Sequence, residues 1–437
     1  MRQRLVPEVR TALLGAPDVR VWPPNWEQAG RIDYFYRDQS LLTRNSDIAR
    51  AQDALRALGA EPDSRNGSAA PGGTAGPDPS SGDALVHGVT RLTAQVRDSQ
   101  HTAQVVEDLD RLLGSGIVTH DHVFAITPVV MCPATEPAEV ITPQDAKDPV
   151  AVDAALWPPR VDSGAGQGVR VAVVDTGLLD NAADWAPWLA GVTANTRADL
   201  ENPDQLDVDS NHRRRDGYAD PYAGHGTFVS GVVRCVAPAS GVTVDRILGV
   251  SGFATESTLI SQIDDALSRS PDVISMSAGG STRRNVPPLS FQMLWEQRLS
   301  QLGGVVLVAA AGNHGSTTPF WPAAFPWCVG VGSMTKDGQS RSWFSNYGSW
   351  VDVYAPGEDI VNAYARMKYK TVVDGEVRDT EAGIVTWSGT SFATPIVSGL
   401  IAARMSRTGE NARQAADALL AAARGQFRPG IGPRLFP

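Results

Sequence analysis

Val169-Arg-Val-Ala-Val-Val174 runs directly into Asp175-Thr-Gly177, a nearly unbroken apolar stretch closed by a polar turn. A strand buried on both faces has this composition, and such strands belong to parallel sheets covered by helices on each side. Asp175 is thereby predicted at a strand's carboxyl end. Gly224-His225-Gly226-Thr227 precedes Phe228-Val-Ser-Gly-Val-Val233, whose small and apolar residues suit a helix packed tightly into a core, with His225 in its first turn. Ser388-Gly-Thr-Ser391-Phe-Ala-Thr-Pro395 opens a further run of apolar and small residues reaching Met405. Proline in a first turn lacks only a donor that has no partner there anyway, so Pro395 allows a helix beginning near Ser391.

Together these residues have the makings of one catalytic device. A serine hydroxyl is a poor nucleophile until a base removes its proton, and a neutral imidazole does this well near neutral pH. Ser391 is the candidate nucleophile and His225 the candidate base. A buried carboxylate must hold the other ring N–H and stabilise the imidazolium, the role open to Asp175. The oxyanion of the tetrahedral intermediate needs backbone N–H groups at a helix start and a neutral amide. Asn313, closing Val305-Val-Leu-Val-Ala-Ala-Ala-Gly312, is placed to supply that amide.

The set resembles the subtilisin-like serine proteases, the subtilases. The resemblance covers about residues 157 to 425 and rests on Asp175-Thr-Gly177, His225-Gly-Thr227, Ala311-Gly-Asn313 and Gly389-Thr-Ser391 with Ala393 and Pro395. It implies the roles just given, which are the family's own, and an α/β fold with a mainly parallel sheet and helices on both faces. It also implies that Asp272-Val-Ile-Ser-Met-Ser-Ala-Gly-Gly280 is a strand whose end pairs with an extended substrate. Ser277, Ala278 and Gly279 then form one wall of the primary specificity pocket and Ala310, Ala311 and Gly312 the other, with Phe320 near its base. Small uncharged walls suggest an apolar preference.

The chain also departs from the commonest family pattern. Phe228 stands where many relatives carry a second histidine, Phe392 where many have methionine and Ile396 where many have histidine; none of these takes part in proton transfer. Val232-Val-Arg-Cys-Val-Ala-Pro238 leaves no room for the calcium-binding loop that secreted subtilisins insert after the histidine helix. Asp207, Asp209, Asp216 and Asp220 crowd one loop, but Arg213, Arg214 and Arg215 share it and the spacing is not that of a calcium loop. A solvated loop is expected, with no metal and no cofactor.

A chain of 437 residues is long for one domain, and 42% hydrophobic residues suffice for a core. A net charge of -10 and a pI near 5.2 exclude nucleic acid and anionic membrane as main partners, since both require basic patches. Met1-Arg-Gln-Arg-Leu-Val-Pro-Glu-Val9 lacks the apolar core of a secretory signal, and no run approaches a membrane span. Three cysteines, Cys132, Cys235 and Cys328, cannot all pair within one chain. A cytoplasmic protein is expected, or a secreted one if the start is truncated.

Residues 1–130 read as a smaller α+β unit, with 131–156 a linker, 157–425 the catalytic domain and 426–437 a tail. Arg31 to Tyr36 is a strand, Ser46 caps a helix to about Gly59 with Ile48, Ala51, Leu55 and Leu58 on one face, and 62–82, rich in Gly, Pro, Ser and Ala, reads as a disordered insertion. A strand around Ala84 to Leu92, a helix from about Thr102 to Leu113 and a strand around Ile117 to Ile126 complete the outline of a plait. Subtilase propeptides have such a fold, and residues 105–125 resemble the end of one. The unit is then a folding aid and inhibitor whose exit, Met131 to Gln144, reaches the cleft, or alternatively an adaptor that recruits substrates. His120 and His122 share a strand face without a third ligand and read as a surface pair. The function expected is a serine endopeptidase, inside the cell and acting on one precursor; a catalytically idle peptide-binding module is the alternative.

Overall fold

The computed structural model describes residues 9–10, 13–14, 16–63, 88–95, 101–126, 134–161, 164–195, 218, 222–248, 252–371 and 375–437. Its larger part is built on a seven-stranded sheet. From one edge to the other the strands are Thr193–Ala194, Gly241–Arg246, Arg170–Asp175, Val273–Met276, Val306–Ala310, Val329–Met334 and Val353–Pro356, every neighbouring pair parallel. Val273–Met276, Val306–Ala310 and Val329–Met334 are buried along their whole length, which is why they read as continuous apolar runs. Along Arg170–Asp175, Val171 and Val173 join the core beneath the His225–Val236 and Thr390–Thr408 helices, while Ala172 and Val174 face the Glu256–Ser268 and Leu289–Gln297 helices. Burying each such valine contributes about 1.5–3 kcal/mol.

The smaller part is an antiparallel sheet of Glu61–Asp63, Val89–Gln95, Tyr34–Arg44 and Val118–Ala125, with Val19–Trp22 on the Tyr34 end. The Ile48–Ala57 and Thr102–Leu113 helices close one face through Ala51, Leu55, Val105, Val106 and Leu109. Strand, helix, strand, helix, strand holds in outline, with differences in detail. The first strand is longer than the expected Arg31–Tyr36, because a bulge between Tyr36 and Leu41, with Gln39 at φ 57°, lets it continue past its polar residues. Ser46 caps nothing: it lies in a turn of 3₁₀ helix and its hydroxyl donates to Asp47. Pro62 and Asp63, expected in the insertion, belong to the Glu61–Asp63 strand; the strand expected around Ala84 to Leu92 is Val89–Gln95; and residues 64–87, with the rest of the expected insertion, fall outside the described residues, as do Cys132 and the loop from Asp204 to Asp220 except Tyr218.

The two parts share one sheet. Phe253–Thr255 of the larger part is the edge strand beside Val118–Ala125. The Glu256–Ser268 helix that follows it receives the Asp121 carboxylate, which accepts from the Ser257 N–H at 3.0 Å, the Ser257 hydroxyl at 2.8 Å and the Ser40 hydroxyl at 3.1 Å. An anion at a helix start is well matched to the exposed donors there. Arg283 and Arg284 reach back to Glu107 and Asp110 of the Thr102–Leu113 helix.

The histidine pair is not on the surface. His120 and His122 are buried, 0% and 3% exposed, because the face they share is covered by Tyr34 and Tyr36 and by the larger part. His122 Nε2 accepts from the Arg283 N–H at 3.2 Å, so its proton sits on Nδ1, 3.4 Å from Glu256. Neither nitrogen of His120 has a hydrogen-bond partner among the described residues. Burial, then His122 and Arg283, holds the His120 pKa well below the ordinary imidazole value. A base so depressed binds fewer protons folded than unfolded, so its contribution is intact above about pH 6.5 and is lost as pH falls below that. Burial acts oppositely on Asp121, raising its carboxyl, so protonation there relieves a cost as pH falls through that raised value. The thermal midpoint of the full chain is therefore expected to fall between about pH 7.5 and about pH 5.5. In His120→Phe, whose ring suits the same aromatic box, a scanning-calorimetry series should show a shallower fall.

Candidate active site

Asp175 ends its strand and His225 begins its helix, and the two meet completely buried, with Asp175 Oδ1 2.7 Å from His225 Nδ1. Oδ1 also accepts from the Thr176 N–H at 2.8 Å. The threonines that follow each motif explain how two distant segments are joined. The Thr176 hydroxyl accepts from the Gly226 N–H at 2.9 Å, supplying a cap to the helix that carries His225, and Thr227 Oγ1 accepts from the Leu179 N–H at 2.8 Å. Gly226 is glycine for contact: a Cβ there would overlap the Gly177 carbonyl.

The Thr390–Thr408 helix brings Ser391 to its second residue, against the same core. Three aromatic rings enclose the imidazole on this side. Trp387 and Phe392 lie 5.5 and 5.3 Å from the His225 ring centroid, and Phe228 packs on both. Two of the departures noted in the sequence are thus one apolar box that fixes the ring plane; Trp387 carried no motif to announce it. His225 Nε2 is buried and has no hydrogen-bond partner among the described residues, while the Ser391 hydroxyl donates to the Ser277 carbonyl at 3.3 Å.

Pro395 lies deeper in the helix than expected. The missing N–H belongs to the sixth helical residue and would have bonded the Ser391 carbonyl. That carbonyl is taken by the Ser277 hydroxyl, which donates to it at 2.8 Å. Ser277, expected as pocket wall, turns its side chain to the Ser391 backbone instead.

Asn313 follows the Val306–Ala310 strand. Its Oδ1 accepts from both the N–H and the hydroxyl of Thr390, each at 2.8 Å. A backbone N–H can only donate, so the amide oxygen must face Thr390 and the nitrogen must face away. Nδ2 is buried without a partner among the described residues, an uncommon condition for a strong donor. Ala310 and Ala311 are fully buried and Gly312 adopts φ 89°. The calcium-loop position is short: the helix ends at Val236 and the next strand begins at Gly241.

The chain pairs with segments on either side of Ser391. Ala125 exchanges both backbone hydrogen bonds with Gly279, at 2.9 and 3.1 Å, and the Ile126 N–H donates to Gly252. On the other flank, the Ala134 N–H donates to the Ser388 carbonyl at 2.6 Å, and the Trp387 indole and Ser388 N–H both donate to Thr135. Ala138–Glu139 then adds a strand beside Ile384–Trp387. The expected linker is therefore bound to the Ser391 side, as the tail is bound to Tyr354 through Pro433 and Leu435. The second edge of this track, Gly252–Thr255, had no recognisable motif in the sequence.

A protein-family model described as the Subtilase family matches residues 166–430, more than half of the chain. The chain belongs to the subtilase family. Among its relatives, thermitase of Thermoactinomyces vulgaris is 31% identical over 270 residues, which are 59% of this chain and 83% of thermitase. An intracellular serine protease of Paenibacillus polymyxa is 29% identical over 262 residues, 57% of this chain and 68% of that one. A crystal structure of a cold adapted subtilisin-like serine proteinase is 27% identical and aligns over 65% of this chain and 95% of its own, with a TM-score of 0.46. This subtilase is accordingly a serine endopeptidase that acts on peptides or proteins. No helix among its described residues is long and apolar enough to cross a membrane.

The Ser277 contact is directly testable. Ser277→Ala leaves the Ser391 carbonyl buried without a donor and should lower the unfolding free energy by about 1–3 kcal/mol in denaturant titrations. Adding Pro395→Ala restores an N–H to the same carbonyl, so the double variant should recover part of that loss. Strictly additive effects would show that the two residues do not share the carbonyl.

Proposed function

We propose that this endopeptidase cleaves through Ser391, His225 and Asp175, with Asn313 as oxyanion donor, and that its N-terminal part restrains it by lying in the cleft. The observation that carries the reading is the buried Asp175–His225 hydrogen bond, which leaves Nε2 as the only imidazole nitrogen able to accept a proton. Ser391 Oγ swings from the Ser277 carbonyl to Nε2, gives up its proton and attacks the peptide carbonyl. Catalytic hydrogen bonds of this kind commonly tighten only with substrate in place. The oxyanion draws on Asn313 Nδ2, already desolvated and aimed by Thr390, together with the donors at the helix start. His225 passes its proton to the leaving amine, and water repeats the sequence to free the acyl group. No cofactor is involved.

Restraint is supported by the bonds on both flanks. Ala125 and Ile126 sit where an added substrate strand would pair, and Ala134 is bonded beyond Ser391. An intracellular role is in keeping with the names of two relatives, intracellular serine proteases of Paenibacillus polymyxa and Bacillus subtilis, and with the buried free thiols Cys235 and Cys328.

Covalent labelling by a fluorophosphonate, read by intact mass on the full chain, tests this. One adduct is expected on the wild type and none on Ser391→Ala. Ala125→Pro removes a hydrogen bond to Gly279 and should speed labelling several-fold. An unchanged rate would show that the strand does not obstruct Ser391, and no adduct in any form would support the idle binding module. In Asn313→Ala, kcat should drop by about 10²–10³ with KM little changed, a magnitude established on a subtilisin amide.

A further inference from the structure

We propose that Phe320 closes the primary specificity pocket, so that the residue preceding the cleaved bond must be Gly, Ala or Ser. The inference rests on Ser391 as nucleophile. The chain's own Ala125 marks the substrate track opposite Gly279. A peptide continuing that antiparallel register reaches Ser277 two residues later, and the Ser277 carbonyl is where the Ser391 hydroxyl rests. The residue opposite Ser277 therefore presents its carbonyl to Ser391. The space open to its side chain is the gap between the segments that follow two adjacent parallel strands, Val273–Met276 and Val306–Ala310.

That gap holds the Phe320 ring. A Cβ on Gly279 would lie 2.7 Å from Phe320 Cδ1, and one on Gly312 would lie 3.0 Å from the same atom. One ring edge thus touches both walls, and the walls are glycine because the ring occupies the space between them. The ring is only 6% exposed. Its backbone is held in place: Trp321 and Gly280 exchange two hydrogen bonds at 2.8 and 2.9 Å, and the Ala324 N–H donates to the Phe320 carbonyl at 3.0 Å. His314 packs on the ring at 5.5 Å. A cavity of about 560 Å³ borders the ring, lined by Gly279, Phe320 and His314 on one side and by Ile32, Tyr34 and Phe35 of the N-terminal part on the other. An aromatic or leucyl side chain has to displace a packed ring, and discrimination of about 10- to 200-fold is expected from hydrophobic pocket size.

The test compares inactivation of the full chain by two peptidyl diphenyl phosphonates that differ only in the residue bearing phosphorus, alanine or phenylalanine. Covalent adducts accumulate from whatever fraction of molecules has an open cleft, so the ratio of the two rates does not depend on that fraction. The wild type should favour alanine by at least about tenfold. Phe320→Ala, with Phe320→Leu as a milder variant should the first fail to fold, should raise the phenylalanine rate and narrow the ratio. Equal rates on the wild type, or a ratio unchanged in a folded Phe320 variant, would overturn the proposal. A side-chain-free fluorophosphonate run in parallel separates the two readings: if it labels Ser391 while the ratio fails, only the pocket is wrong, and if it labels nothing, the nucleophile reading fails and the pocket proposal with it.

Discussion

Burying a carboxylate is costly, and hydrogen bonds to its oxygens offset that cost. Asp175 is completely buried; Oδ1 takes His225 and the Thr176 N–H, while Oδ2 has no partner among the described residues. The bonds to Oδ1 dictate much of the surrounding architecture. A strand end must abut a helix start, which the parallel sheet supplies as the Arg170–Asp175 strand and the His225–Val236 helix. The two backbones must also touch, so Gly226 sits on the Gly177 carbonyl with Thr176 as the tie. The apolar box of Phe228, Trp387 and Phe392 then keeps water from competing for the ring and strengthens the pair.

The rest of the cleft follows a second rule, that an unpaired strand edge recruits another strand. Gly279 on one side and Gly252–Thr255 on the other leave a slot for one extended backbone, and Val118–Ala125 enters it. The same strand pins the N-terminal sheet to the larger part through Asp121 and Ser257. The pairing with Gly279 and the docking of the N-terminal sheet are thus carried by one strand.

Much of this was legible in the sequence where one chemical requirement dictates one local pattern. Buried parallel strands have no polar alternative, so Val169–Val174 and Val305–Ala311 announce themselves, and the four proposed catalytic residues fall at their ends or at helix starts. The Thr102–Leu113 helix carried its apolar face in its spacing and ends where it was expected. What stayed hidden depends on contacts between distant segments. Phe228, Trp387 and Phe392 are scattered in the chain and become a box only after folding. Two histidines on alternate residues look like a wet surface pair until the larger part covers them. Small residues such as Gly279 and Gly312 signal close approach without saying what approaches, and the partner is a ring from this chain. Ser277 likewise reads as an open wall until Pro395 leaves a carbonyl for it.

The hydrogen bond between Asp175 and His225 can be observed directly by proton NMR on nitrogen-15-labelled protein. The account predicts a low-field, exchange-protected proton attached to His225 Nδ1, present in the wild type and in Ser391→Ala and lost in Asp175→Ala. Its absence from folded wild type, or its survival without the Asp175 carboxylate, would contradict the arrangement on which the proposed chemistry depends.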